Sequence, residues 1–293
     1  MHRQLFMSLC LLTCSSLYTN SLLNRVVYEV LPGLLKLHRE IVKLPPNQTP
    51  EEILADPKRH PYFADCIGAL DGTHLPIFVK GGYVKQAPWR SRKGGLSQNV
   101  LVAVDFKLNF VYVFAGWEGS AHDSRVLTSA KSKGFQAPSG RYYVADAGYS
   151  NTTTTLTPYR GVRYHLREQA QANIRPQNYK ELYNLRHAAL RNVVERAIGI
   201  FKSRFKCFEA AKHNLPLRTQ VELVYALTAV HNFINQWNPD DLNQYPAVED
   251  EEVDEEDARL AEEESDVAMN ERREDIARFM WVSYCQALGR PID

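Results

Sequence analysis

Residues 66–79 read Cys66-Ile-Gly-Ala-Leu-Asp-Gly-Thr-His-Leu-Pro-Ile-Phe-Val79, an apolar run of buried-strand type interrupted by Asp71-Gly72. Downstream, residues 98–106 and 110–116 are two β-rich runs around Lys107-Leu-Asn109, the pattern of a hairpin. Residues 123–133 have helical spacing with Asp123 as N-cap, and Arg141-Tyr-Tyr-Val-Ala-Asp146 is a further strand ended by Gly148. Residues 161–166 supply a short fifth strand. Residues 176–208 form a long helical stretch, and residues 217–237 an amphipathic helix.

Three hairpin-linked strands, a helix, a strand ending in an acid and a later helix bearing another acid are the order of a ribonuclease-H-like fold. The expected class is therefore α/β, a mixed five-stranded sheet flanked by helices. In such a sheet the first and fourth strands are neighbours, which sets Asp71 beside Asp146. The third acid must come from a helix across the sheet, and Glu195 in Arg191-Asn-Val-Val-Glu-Arg-Ala-Ile-Gly-Ile-Phe-Lys202 is the candidate. At 100° per residue, Arg191, Glu195 and Lys202 fall within roughly 40° of one another. A solvated face would also collect such residues, so it is their conjunction with Asp71 and Asp146 that points to chemistry. Converging carboxylates repel unless a cation sits among them. Hard oxygen ligands suit Mg²⁺ or Mn²⁺, and two such ions can activate a water or 3′-hydroxyl against a phosphodiester. Arg191 and Lys202 would hold phosphate or neutralise developing charge.

The whole chain of 293 residues carries a formal net charge of +1, which conceals a segregation. Residues 1–240 hold 30 Lys/Arg against 17 Asp/Glu, and residues 241–293 hold 5 against 17. A basic body suits a polyanion such as nucleic acid, and the acidic end could shield it; an uneven soluble surface explains the charge equally well. Five scattered cysteines (10, 14, 66, 207, 285) with no CxxC pair exclude a disulfide framework and disfavour a zinc ribbon. The longest apolar run, residues 5–17, is broken by Ser8, Thr13, Ser15 and Ser16 and falls short of the roughly 20 residues of a membrane helix, so no membrane partner is expected. It reads either as the start of a buried helix continuing through residues 16–43 or as a secretory-type leader. The expected domains are a helical region at 1–44, an endonuclease-type body at 62–237, an acidic disordered linker at 238–270 and a C-terminal helix at 271–293 that docks back.

At the following strings the chain resembles the PIF/Harbinger transposases and Harbinger-derived nucleases, with their DDE endonuclease domain: Ala69-Leu-Asp-Gly-Thr-His74, Gly116-Trp-Glu-Gly-Ser-Ala-His-Asp-Ser-Arg-Val-Leu127, Ala145-Asp-Ala-Gly-Tyr149, Asn184-Leu-Arg-His187, Arg191-Asn-Val-Val-Glu-Arg196 and His231-Asn-Phe-Ile234. The resemblance implies a nuclear, Mg²⁺- or Mn²⁺-dependent enzyme that cuts double-stranded DNA at transposon ends by a two-ion mechanism and joins it to a target site. It implies Asp71, Asp146 and Glu195 as ligands, Arg191 and Lys202 as helpers, and a Myb-like DNA-binding partner; a homo-oligomer is also compatible. Asp123, in His122-Asp-Ser-Arg125, is the alternative second acid; a capping role accounts for it, so Asp146 is preferred. His74 and His122 are read as supporting or packing residues and Asp105 as structural. Arg92, Lys93, Arg160 and Arg163 are candidate DNA-backbone contacts. The family's N-terminal helix-turn-helix is matched only in its second half, at residues 15–37. The competing function is a domesticated DNA-binding or scaffold protein that no longer cleaves.

Overall fold

A computed structural model describes residues 20–92, 94–162, 175–209, 215–245 and 265–290. In chain order the elements are α1 (Asn20–Ile41), α2 (Glu51–Leu54), β1 (Cys66–Pro76), α3 (Tyr83–Gln86), β2 (Ser97–Val104), β3 (Phe110–Glu118), α4 (Asp123–Ser132), β4 (Tyr142–Val144), β5 (Thr155–Leu156), α5 (Tyr179–Arg204), α6 (Leu217–Trp237) and α7 (Val267–Leu288).

The five strands form one mixed sheet in the order β3-β2-β1-β4-β5. β1, β2 and β3 pair antiparallel, whereas β4 lies parallel to β1 and β5 parallel to β4. This is the order and direction expected for a ribonuclease-H-like sheet, and it sets the end of β4 beside the middle of β1. β2 is buried along its entire length, and its second half, residues 100–104, is continuously apolar because helices cover both faces.

Side chains alternate along β1, so Ala69 joins the core facing α1, α5 and α6, and Leu70 joins the core facing α4. The larger core draws Val27, Leu31 and Leu34 from α1, at helical spacing, together with Val194, Ala197 and Phe201 of α5 and Val224 and Leu227 of α6. The smaller packs Val126, Leu127 and Ala130 of α4 with Phe135 and Tyr143 against Leu101 and Ala103.

Several expectations are corrected. β1 is not interrupted at Asp71-Gly72; both residues pair in register with Val102 and Leu101 of β2. The irregularity lies at Gly68, whose φ of 156° falls at the register shift against β4 and where a Cβ would collide with the Val104 carbonyl. The fifth strand is Thr155–Leu156, not residues 161–166. Its polar sequence, Thr152 to Thr155, hides it: the Thr152 and Thr155 hydroxyls bond each other at 2.8 Å and Thr155 Oγ1 donates to Ser150 O. α7 begins at Val267 rather than 271, because Asp266 caps it by accepting from the Ala268 amide. Residues 239–244, placed in the expected linker, form a 3₁₀ turn whose Asp241 pairs with Arg204. Of the expected helix-turn-helix, only α1 lies within the described residues, as do only residues 238–245 and 265–270 of the expected linker.

α7 docks on the body through Met269, Ala277 and Met280. Polar contacts reinforce it: Arg272 pairs with Asp65, the Tyr159 hydroxyl donates to Glu274, and the Arg273 guanidinium lies over the Tyr159 ring. No helix among the described residues is long and apolar enough to cross a membrane.

Candidate metal-dependent nuclease site

The acids of the candidate site come from β1 (Asp71), the segment after β4 (Asp146), the first turn of α4 (Asp123) and α5 (Glu195). Asp71 projects from the β1 face that α5 covers, and its Oδ1 accepts from the Gly72 amide at 2.7 Å. Asp146 stands two residues past β4, with its Oδ1 accepting from the Gly148 amide at 2.9 Å. Gly72 faces α4, and there the Asp123 carboxylate lies over the strand: a Cβ built on Gly72 would fall 2.5 Å from Asp123 Cγ. Only a residue without a side chain permits that approach.

Asp123 is not the cap of α4. His122 occupies the N-cap position without a capping side-chain bond, and Asp123, in the first turn, accepts from Asn99 Nδ2 at 2.5 Å. The physical reason is Asn99, which projects from β2 and also donates to Ala121 O at 3.0 Å, so it fixes the start of α4 and turns the carboxylate inward. A capping role therefore does not account for Asp123, whose charge, with that of Asp146, acts on Asp71.

The electrostatics agree. Desolvation raises the Asp71 carboxyl well above the ordinary carboxylate range, the neighbouring charges of Asp146 and Asp123 push it the same way, and Arg191 opposes them. The same three aspartates bear on Tyr149 and, with its burial, hold its phenol protonated.

Arg191 and Glu195, a turn apart on α5, form a buried ion pair with Nη1–Oε1 at 2.5 Å, with only 4% and 8% of each residue exposed. The polar stripe of this helix thus faces inward, not toward solvent. Arg191 connects the two sets of acids: it holds Glu195, acts on Asp71, and lines one shallow cleft together with Asp146, Pro158 and His187. Lys202 is half-buried on the same helix, about 10 Å along the axis from Glu195 at 1.5 Å per residue.

The same helix face also supports the site from below. The Asn184 side chain bonds both the amide and the carbonyl of Tyr159, and His187 Nε2 meets the Leu156 carbonyl at 2.9 Å. Residues 184, 187, 191 and 195 are therefore one buried stripe that first pins the segment after β5 and then reaches the acids. The expectation assigned no role to Asn184 or His187; their spacing from Arg191 was the available signal.

The candidate DNA contacts divide. Exposed Arg92 tips the turn closed by Ser91 N and Gly95 O, and its Nη2 lies 2.9 Å from Nδ1 of His122, next to Asp123. Arg160 instead donates to the carbonyls of Ala147 and Tyr149, clamping the loop that carries Asp146. Lys93 and Arg163 lie outside the described residues. His74 Nδ1 meets Ser97 Oγ at 3.0 Å, and Asp105 accepts from the amides of Lys107 and Asn109, as a structural residue should.

Residues 70–232, more than half of the chain, match the family described as DDE superfamily endonuclease. The chain belongs to that family. Among relatives, it is 25% identical over 250 residues to "Putative nuclease HARBI1" of Rattus norvegicus, covering 79% of this chain and 66% of that protein. It is 24% identical to "Protein ALP1-like" of Arabidopsis thaliana over 226 residues, 71% of this chain and 52% of that protein. The human protein of the same name as the rat one is 24% identical over 220 residues, 72% of this chain and 58% of that protein. The chain thus spans between half and two thirds of the length of these curated relatives. No solved structure matches it.

DDE endonucleases as a superfamily use divalent metal ions. The donor set fits such an ion: carboxylate oxygens only, one of them desolvated beside two like charges, the arrangement a hard cation would relieve. Among the described residues, no group of three or more His, Cys, Asp or Glu side chains is placed close enough to hold a metal ion.

Proposed function

We propose that the chain is a Mg²⁺- or Mn²⁺-dependent DNA endonuclease of Harbinger transposase type, acting on phosphodiester bonds of double-stranded DNA at transposon ends. The observation that carries this reading is the desolvated Asp71 carboxyl beside Asp146 and Asp123, with the Arg191–Glu195 pair next to it. Asp71, Asp146 and Glu195 are the proposed ligands, with Asp123 as a fourth acid able to replace one of them. When bound, two divalent cations supply Lewis-acid activation of a water or 3′-hydroxyl and stabilise the leaving oxygen. The chain's own part is to hold the acids at fixed positions through Asn99, Gly148 and the Arg160 clamp. Arg191, released from Glu195, and Lys202 neutralise charge on the scissile phosphate. Arg92 contacts the DNA backbone beside the site, and Lys93 and Arg163 are the further backbone contacts of this reading. Action in the nucleus, a Myb-like DNA-binding partner and a homo-oligomer belong to the same reading.

The test is nicking of supercoiled plasmid by the purified full chain in MnCl₂. Cleavage should stop with chelator and fall more than about 100-fold in Asp71→Asn and in Asp146→Asn. Cleavage that survives chelation, or an Asp146→Asn protein as active as the parent, would refute the assignment. A second reading, DNA binding without cleavage, is favoured by the neutralisation of Glu195 in its pair with Arg191. Salt-sensitive DNA binding with no cation-dependent nicking would select it.

A further inference from the structure

Among the described residues, three tyrosine hydroxyls are buried without a hydrogen-bond partner: Tyr142, Tyr143 and Tyr149. Burying an unpaired hydroxyl is unfavourable, so each needs a reason. Tyr142 and Tyr143 belong to β4 and fill the core; the Arg272 guanidinium covers the ring of the first, and Phe135 packs on the second.

Tyr149 has a different setting. It is wholly buried, three residues beyond Asp146, and its amide donates to the Asp146 carbonyl at 3.3 Å. Arg160 grips its own carbonyl at 3.2 Å, so the ring is fixed from the backbone side. Its ring packs in the core shared with α4, and the three carboxylates whose charges bear on its hydroxyl are those of Asp123, Asp71 and Asp146. A phenol hydroxyl can donate, whereas ionised carboxylates only accept. What sets Tyr149 apart from Tyr142 and Tyr143, whose hydroxyls are equally unpartnered, is its place three residues beyond Asp146 with its amide bonded to the Asp146 carbonyl.

We propose that Tyr149 is a positioning residue for the acidic site, its hydroxyl donating to a carboxylate of the Asp71, Asp123 and Asp146 group when a divalent cation draws these side chains together. The inference rests on the reading that these acids bind a cation. A carboxylate held by such a donor keeps one oxygen turned to the ion, in the way that outer hydrogen bonds orient metal ligands generally.

The experiment is calorimetric titration of the full chain with MnCl₂ alone, with thermal melts of the cation-free protein, for the parent, Tyr149→Phe and Tyr143→Phe. Tyr149→Phe should melt at or above the parent temperature without cation, since an unpaired buried hydroxyl has gone, yet bind Mn²⁺ about 10- to 100-fold more weakly. Tyr143→Phe, which removes an equally orphaned hydroxyl away from the acids, should bind Mn²⁺ like the parent. Equal Mn²⁺ affinity in Tyr149→Phe and parent overturns the proposal, as does equal weakening in both variants. A lower melting temperature for cation-free Tyr149→Phe also overturns it, by showing that the hydroxyl already serves that fold. A parent protein that binds no Mn²⁺ removes the reading of the site and the Tyr149 inference with it, whereas failure of Tyr149→Phe alone leaves the site standing.

Discussion

Gly72 is where one missing side chain decides the arrangement of the acids. Because the Asp123 carboxylate occupies the space a Cβ would take, Gly72→Ala should displace it while the strand stays paired. We expect a stability change within about 1 kcal/mol, because the clash is with the end of a short side chain, but a clear loss of Mn²⁺-dependent nicking. Parent-like nicking by Gly72→Ala would mean that Asp123 plays no part. Arg191→Met poses the opposite case: it leaves Glu195 buried without its partner and should destabilise by about 3 to 5 kcal/mol in urea unfolding, far more than loss of a surface pair. Asp71, Asp146, Glu195, Arg191 and Lys202 were legible as candidates from residue type and order along the chain. Asp123 was misread because a helix start offers a ready capping explanation, and the competing bond from Asn99, 24 residues earlier, is invisible in sequence. Tyr149 lay within a recognised string, yet nothing local marks a tyrosine as more than core.

α6 illustrates how an element can look functional and act as a brace. His231, Asn232 and Asn235 hold the β2–β3 hairpin: Asn232 bonds both the amide and the carbonyl of Phe110 at 2.8 Å. His231 Nε2 and Asn235 Nδ2 meet the carbonyl of Leu108, a residue with φ of 65°. Arg204 can only donate, so its 2.9 Å contact makes His231 Nδ1 an acceptor and the ring neutral. Burial, and then the adjacent Arg204 charge, push His231 down to about 3, and burial does the same to His187. The unfolded chain takes up these protons near pH 6.5 while the folded chain refuses them until about 3. Their stabilising contribution is therefore complete above about pH 6.5 and is lost progressively as pH falls toward 3, by at most about 1.4 kcal/mol per pH unit for each ring. Urea melts at pH 7, 6 and 5 measure this, and equal midpoints at pH 7 and 5 would contradict it. The helices were legible from their periodicity. What their buried polar residues hold was not, because each partner is a backbone group from a distant strand.

At the scale of the whole molecule, a basic body carries an acidic C-terminal segment that ends in a docked helix. α7 touches the site's supports: the Asp266 amide donates to Asn151 O at 2.8 Å, and Arg273 donates to the carbonyl of Pro158 in the cleft wall. Met280→Asp, at a wholly buried position, should undock it, and hydrogen exchange should then quicken across residues 267–288 and 150–158 while β1 and β2 stay protected. Unchanged exchange at 150–158 would show that α7 does not brace that segment. For DNA, Arg92→Ala should lower affinity alike for all sequences and reduce the slope of log affinity against log salt by about 1, as expected on loss of one phosphate contact. Periodicity and residue order, which are properties of the chain itself, already carry the first four strands, the main helices, the class of the sheet, the family resemblance and the acids worth naming, but not the short polar fifth strand. Folding alone reveals that the irregularity of the first strand lies at Gly68 and not at Asp71-Gly72, that Asp123 bonds Asn99, that Arg191 pairs with Glu195 and that Arg160 clamps a loop. Each of those depends on which groups from remote parts of the chain compete for one hydrogen bond or one small volume.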